Sequence, residues 1–166
     1  MRGRHRVRQV LNYANLSTPL GLLIAVAGRA KVRRGEHGLL YAHGYRIPFP
    51  VAGAFTVGNV VVTAECDGYL TGALLRHEAR HATQYAFCAG LPMLPLYVLA
   101  LLVSVLVCGH PASWNVFERL ADLDEGGYPR HPSRWRRHRA GRGDRLRAGG
   151  NRSRRGNRLR ARRHRS

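Results

Sequence analysis

Residues Arg76–Gly90 read RHEARHATQYAFCAG and contain His77, Glu78 and His81 in the order HExxH. On an α-helix, side chains four residues apart lie on one face, so the two imidazoles can reach a common metal ion. Glu78 follows His77 by about 100° of rotation and can reach a water molecule on that ion without binding the ion itself. The pattern therefore predicts a helix that carries part of a catalytic zinc site.

Two histidines leave such a site incomplete, because catalytic zinc normally has three protein ligands and one open position. A metzincin would have another histidine six residues after His81, but Phe87 stands there and excludes that group. Further along the chain, the segment FERLAD contains Glu118 and, four residues later, Asp122. On a helix these two carboxylates would share a face.

HExxH followed by a helical ExxAD resembles the gluzincin metallopeptidases. Among them, the membrane-embedded prenyl-protease-like peptidases are similar in having apolar sequence between the two motifs. The resemblance extends from Thr71 to Asp122. It implies Zn²⁺ as the cofactor and three zinc ligands: His77, His81 and Glu118. It also implies Glu78 as the general base, and the Asp122 side chain as the acceptor that fixes the tautomer of His77.

A donor for the oxyanion of the tetrahedral intermediate is not identified by any motif, and Tyr128, Tyr85 and His110 are the candidates by residue type. The alternative to a metal site is a surface helix on which the histidines only titrate in solvent. A third interpretation keeps zinc but in a structural or vestigial role.

Positive charge is concentrated at the C-terminal end of the 166-residue chain, whose formal net charge is +19. Of the 28 Lys and Arg residues, 12 precede Pro129 and 16 lie from Arg130 onward. Residues 130–166 contain almost no aliphatic side chains, so we predict a disordered Arg-rich tail. Such a tail attracts nucleic acid or anionic lipid, or it is a solvated extension without a partner.

Residues 1–35 form a basic N-terminal segment with a short apolar helix, which Ser17 or Thr18 followed by Pro19 would start and Gly28 would end. This segment also resembles a secretory signal peptide. Positive charge directly after the apolar run opposes translocation, which favours an uncleaved amphipathic or membrane-contacting helix.

Residues 36–129 have the pattern of a small α+β domain. Val-rich and Tyr-rich runs punctuated by Gly and Pro predict two or three antiparallel strands, with a possible bulge at Gly58, at these positions: Leu39–Ile47, Ala54–Val57 and Asn59–Thr63. The strand GNVVVT is either an edge that pairs with a peptide or an ordinary core strand. The HExxH helix, of roughly 18 residues between Thr71 and Gly90, follows the sheet.

The segment Leu91–Cys108 contains no charged residue, and it fits a re-entrant or interfacial helix, a core helix, or a site at membrane depth shielded by protein. A single crossing would separate His81 from Glu118, which conflicts with one zinc site. A glutamate-bearing helix, capped by Ser113 and ended by Gly126 and Gly127, comes last.

These features together predict a zinc-dependent metallopeptidase with a peptide or protein substrate. We expect it to associate with a membrane, the cytoplasmic membrane of a bacterium. The alternative is a nucleic-acid or anionic-membrane binding protein that acts through its Arg-rich tail.

Overall fold

A computed structural model describes residues 2–48, 50 and 52–135 of the chain. Over these residues the protein combines helices with one four-stranded sheet, which confirms the predicted α+β class. Its elements are, in order, α1 (Arg2–Ala14), α2 (Ser17–Ala27), β1 (Lys31–Arg34), a 3₁₀ turn (Glu36–Gly38), β2 (Leu40–His43), β3 (Ala54–Val57), β4 (Val60–Thr63), α3 (Gly72–Phe87), α4 (Met93–Cys108) and α5 (Val116–Ala121). Residues 136–166, most of the predicted disordered tail, lie outside the described residues.

The sheet is mixed rather than antiparallel, with the strand order β1-β2-β4-β3. The pairs β1–β2 and β3–β4 are antiparallel, but β2 and β4 run parallel. After β2 the chain passes to the far edge of the sheet, where it forms β3. It then turns back as β4, which lies between β2 and β3. All four residues of β4 are therefore buried, and β3 is the edge strand. The core-strand interpretation of GNVVVT is the right one, and β1 was not predicted.

The β3–β4 hairpin turns at Gly58 and Asn59, because Val57 pairs directly with Val60. Gly58 has a φ of 63° and supplies the left-handed conformation at the first turn position, so it forms a tight turn and not a bulge. A side chain at this glycine would also collide with the main chain at the start of α2.

A buried polar network joins the N-terminal helices to this turn and to α3. The Asn12 amide nitrogen donates to Asn59 Oδ1 at 3.1 Å and to the Ala82 carbonyl at 2.8 Å. The Thr18 hydroxyl accepts from Asn59 Nδ2 at 2.9 Å. Arg8, which is also buried, donates to the Ala79 carbonyl. The basic α1 and the apolar α2 are thus structural parts of the domain, packed on its sheet and its HExxH helix.

Helix α5 is shorter than predicted and begins later. The Asn115 side chain caps it by accepting from the Phe117 amide at 3.0 Å, whereas the hydroxyl of Ser113, the predicted cap, donates to the Pro129 carbonyl. The helix ends at Ala121, because Asp122 has a φ of 73°. Asp122 is therefore outside the helix that carries Glu118.

Helix α4 lies at the surface, and of its sixteen residues only Met93, Ser104 and Cys108 are buried. The core-helix interpretation of this segment is therefore wrong. In the part of the chain that the structure describes, no single helix has the length and apolar composition to cross a bilayer. The helices α1 and α2, which meet at an angle of 74°, satisfy those two criteria only when taken together.

We expect Asn12→Ala to lower the free energy of unfolding by about 1–3 kcal/mol, because it leaves buried partners in the turn and in α3 without their donor. Chemical denaturation followed by circular dichroism measures this change. The control is Val10→Ala at an exposed position of the same helix, for which we expect less than about 0.5 kcal/mol. Equal losses for the two variants would contradict a structural role for the network.

Candidate metal centre

Helix α3 presents the HExxH motif inward. Its buried residues recur at helical spacing and include both histidines and the glutamate of the motif: Leu75, His77, Glu78, His81, Ala82 and Tyr85. Thr71 precedes the first turn as predicted, although its side chain makes no capping hydrogen bond. Because α3 packs on β3 on one side and contacts α5 on the other, its polar inner face closes against the rest of the domain.

Glu118 from α5 meets the two imidazoles at the inner face of α3. Its Oε2 lies 3.2 Å from His77 Nε2, and its Oε1 lies 3.5 Å from His81 Nε2. The two Nε2 atoms are 3.1 Å apart. All three side chains are buried, and together they can hold a metal ion. The structure thus brings together the three residues that the motif and the resemblance implied.

The outer nitrogens of both imidazoles are occupied by acceptors. His77 Nδ1 lies 2.9 Å from the Asp122 carbonyl and 3.0 Å from the Ala121 carbonyl, and His81 Nδ1 lies 2.8 Å from Gln84 Oε1. Each Nδ1 must therefore carry the proton, which leaves the lone pair of each Nε2 directed at the other and at Glu118.

This arrangement fits a cation. Imidazole nitrogens and carboxylate oxygens with free electron pairs repel one another at hydrogen-bond distance unless positive charge lies between them. Glu118 Oε2 is buried and accepts no hydrogen bond from the described residues. Bonds of about 2.0–2.2 Å at tetrahedral angles would separate the ligand atoms by roughly 3.3 Å, close to the three distances in this cluster.

The charges around the cluster reinforce the same conclusion. Burial opposes protonation of His77, but the Glu118 carboxylate, which would accept a hydrogen bond from the protonated ring, and the nearby carboxylate of Glu78 outweigh it and raise the pKa of His77. Burial would also raise the pKa of Glu118, yet the two imidazoles and the hydroxyl of Tyr97 hold it well below its usual range. The protein therefore provides a negative potential at the point where the three ligands meet.

Glu78 lies next to the cluster without being one of its three members. The Thr56 hydroxyl of β3 donates to Glu78 Oε2 at 2.6 Å, which fixes the direction of the carboxylate. Glu78 is buried, and this burial raises its pKa against the opposing effects of His81 and Thr56. Glu78 is not among the residues whose ligand atoms meet in the cluster.

Asp122 contacts His77 through its main chain and not through its carboxylate, which is a correction to the role implied by the resemblance. The Asp122 Oδ1 atom instead accepts from the Asp124 amide at 3.1 Å. The reason is the early end of α5, which turns the Asp122 carbonyl toward His77 and its side chain into the following loop. Arg80 holds this loop on α3 by donating to the Ala121 carbonyl and pairing with Glu125.

Gly126 covers the ring of His77. A Cβ atom at this position would lie 2.6 Å from His77 Cε1 and 2.8 Å from His77 Nδ1, closer than van der Waals contact permits. A glycine at position 126 lets the loop lie against the face of the His77 ring while the carbonyl groups of Ala121 and Asp122 reach His77 Nδ1. The sequence marked Gly126 as the end of a helix, and its contact with the metal ligand is visible only in the fold.

A cavity of about 610 Å³ opens beside the three ligands. Apolar side chains from β3 and α4 form most of its wall, including Phe55, Met93, Leu94, Val98 and Leu101. The polar groups at its surface are few: Thr56, His77, Glu78, His81, Tyr85, Tyr97, Glu118 and Tyr128. A mostly apolar cavity with a small set of convergent polar groups is typical of a substrate site.

The structure separates the three candidates for the oxyanion donor. Tyr128 lines the cavity with its ring centre 5.8 Å from that of His77, and its hydroxyl has no hydrogen-bond partner among the described residues. Burial raises the pKa of Tyr128, which keeps the phenol neutral and able to donate. Tyr85 also lines the cavity. His110 does not, because its Nδ1 accepts from the amides of Ala112 and Ser113 in the turn after α4.

Three supporting residues were missed by the sequence analysis: Thr56, Gln84 and Tyr97. Gln84 had a signal, because it follows His81 by three residues and so shares its helical face; its amide nitrogen also donates to the Phe117 carbonyl of α5. Tyr97 had a weaker signal as one of two hydroxyl groups, with Ser104, in an otherwise apolar run. Thr56 had none, since its role depends on the pairing of β3 with α3.

No family model, curated protein or solved structure matches this chain. The resemblance to gluzincins therefore stays a prediction that depends on the two motifs and on the geometry of the residues that carry them.

We expect Gly126→Ala to weaken zinc binding at least tenfold, because the added methyl group must displace either the ring of His77 or the loop that holds it. Competition with a chromophoric chelator measures the affinity. Gly3→Ala, at a position where an added methyl group meets nothing, is the control and should bind zinc as the wild type does. Unchanged affinity in Gly126→Ala would show that the His77 ring is not held by this contact.

Proposed function

We propose that the protein is a zinc-dependent metallopeptidase that hydrolyses peptide bonds. The observation that carries the proposal is the convergence of His77, His81 and Glu118 at the wall of a largely apolar cavity, with the Glu78 carboxylate beside them. Two imidazoles and one carboxylate from three positions of the chain form a ligand set that catalytic zinc uses in peptidases.

The number of ligands favours a catalytic site over a structural one. Structural zinc is usually held by four protein ligands, whereas a catalytic ion keeps one position for water or substrate. Among the described residues the cluster has three members, and the cavity adjoins them. When bound, zinc would polarise the substrate carbonyl and lower the pKa of a water molecule from about 16 to about 7.

In this mechanism Glu78 is the general base. Its carboxylate accepts a proton from the water that attacks the scissile carbonyl and then passes that proton to the departing amine. The Thr56 hydroxyl keeps one carboxylate oxygen in place, so the other is left to face the reaction. Burial of Glu78 favours its protonated form and so helps it hold the proton between the two steps.

Tyr128 is the proposed donor to the oxyanion of the tetrahedral intermediate. Its hydroxyl has no other partner among the described residues, and its ring lies beside a metal ligand in the same cavity. Tyr97 is less suited, because it already donates to Glu118. That hydrogen bond orients the ligand carboxylate instead.

The edge strand β3 supports a peptide as the substrate. Ala54, Phe55 and Thr56 line the cavity, and β3 pairs within the described sheet only with β4. An extended peptide can pair with the free side of such a strand and present its carbonyl groups in order. Thr56 contacts Glu78, so a peptide bound there would pass the general base.

Metal content and turnover test the proposal separately. Purified wild-type protein should contain about one zinc per chain, and His77→Ala, His81→Ala or Glu118→Ala should remove it. Glu78→Gln should keep the zinc and lose peptidase activity by at least about 10³-fold, because the amide cannot accept the proton. Elemental analysis and cleavage of a fluorogenic peptide library give the two measurements. A Glu78→Gln variant with undiminished turnover would exclude Glu78 as the base.

We further expect Tyr128→Phe to lower kcat by about 10²-fold with little change in zinc content, because it removes the donor without altering the ligands. Tyr85→Phe is the matched control, since Tyr85 lines the same cavity but has no ring contact with a histidine of the cluster. It should keep kcat within about threefold of the wild type. Equal losses in both variants would point to cavity shape and not to a specific hydroxyl.

A further inference from the structure

One side of α4 exposes a continuous apolar surface. Five large side chains fall within an arc of about 120° on the helix, and all are at least 45% exposed. We call these residues the outer face of α4: Leu96, Leu99, Leu102, Val103 and Leu106. The opposite side of the helix carries Met93, Tyr97 and Leu101, which contact the interior or line the cavity. The outer face thus remains without a partner among the described residues.

Trp114 contacts the C-terminal half of this helix, and Trp135 follows Arg134, which also reaches it. The Trp114 amide donates to Ser104 Oγ at 2.8 Å, and the Trp114 indole donates to the His131 carbonyl at 2.9 Å. Further along the chain, the Arg134 side chain donates to the Val105 carbonyl, and the neighbouring Trp135 is 72% exposed. An apolar helix bordered by exposed tryptophan and arginine is typical of an element at a membrane–water boundary.

The chemistry of possible occupants favours lipid. Residues 136–166 contain leucine only at positions 146 and 159 among many arginines, so they are poorly suited to cover an apolar helix. A second copy of this chain would bring two strongly basic molecules together at a net charge of +19 each. An anionic bilayer instead suits both the apolar helix and the positive charge, because it accepts apolar side chains and attracts Arg134 and the many arginines of residues 136–166.

We propose that the outer face of α4 docks on the surface of an anionic bilayer, with Trp114 and Trp135 at the level of the lipid headgroups. The helix lies along the membrane, because α3 before it and α5 after it bring His81 and Glu118 to one cluster. Its sixteen residues measure about 24 Å, so the proposed contact between the helix and the bilayer surface has about this length. The docking does not depend on the proposed peptidase activity and can be tested without it.

The experiment uses the full chain and vesicles of phosphatidylcholine and phosphatidylglycerol in a ratio of about three to one. The variant Leu99→Glu/Leu106→Glu places two charges on the outer face at residues that are 58% and 73% exposed. Its control, Val7→Glu/Val10→Glu, makes the same change in net charge on α1 at residues that are 60% and 66% exposed. Vesicle flotation and tryptophan fluorescence with brominated lipids are both measured in about 0.5 M NaCl, where attraction between exposed charges is largely screened.

The wild type and the α1 control should float with the vesicles, and their tryptophan emission should shift to the blue and be quenched by the bromine atoms. The α4 variant should need at least tenfold more lipid for half-maximal flotation and should lose the quenching. Circular dichroism checks that all three proteins are folded. Equal binding by the two variants, or flotation of the wild type without tryptophan quenching, would overturn the proposal, because the outer face of α4 would then not be the surface that binds the vesicles. A dimer that the α4 variant dissociates in the absence of lipid would overturn it in favour of a second copy.

Discussion

The meeting of two buried imidazoles with one buried carboxylate is the constraint around which this domain is organised. Two imidazole nitrogens and the two oxygens of the Glu118 carboxylate lie 3.1–3.5 Å apart in a buried position. Such a cluster is unfavourable unless a cation is present, yet several separate contacts hold its side chains in place. Gln84 and the main-chain carbonyl groups after α5 hold the rings, while Tyr97 holds the carboxylate. Organising a site before the ion arrives is how a protein obtains a defined geometry from it.

The sequence was most informative where one helix contains the chemistry. On a helix, the spacing of four residues in HExxH is enough to place the two histidines on one face. The structure has helix α3 where the pattern predicted a helix. The hairpin strands β3 and β4 were also predicted within a residue, since runs rich in Val and Phe lie on either side of Gly58, although the turn there was taken for a bulge. These features are local, and local patterns can be read without knowledge of the fold.

The errors arose where distant segments determine the outcome. Asp122 was assigned to a helical face, but Asn115 starts α5 late and the positive φ of Asp122 ends it early. The Asp122 carboxylate therefore does not contact His77, and the main-chain carbonyl of Asp122 makes that contact instead. The sheet order could not be read either, because the parallel pairing of β2 with β4 depends on a crossover that leaves no periodic signal. Thr56, which donates to Glu78, was missed because its role depends on the packing of β3 against α3.

The buried network of Asn12, Thr18 and Asn59 has a consequence for any shortened form of this chain. Removal of the residues up to Ala27 would delete α1 and α2, and with them the donor to the Ala82 carbonyl in the HExxH helix. Asn59 would keep its amide inside the protein with neither partner, and the central strand would lose its cover on one side. Fragments that begin at the first sheet residue should therefore aggregate on expression, even though every ligand of the cluster lies further along the polypeptide.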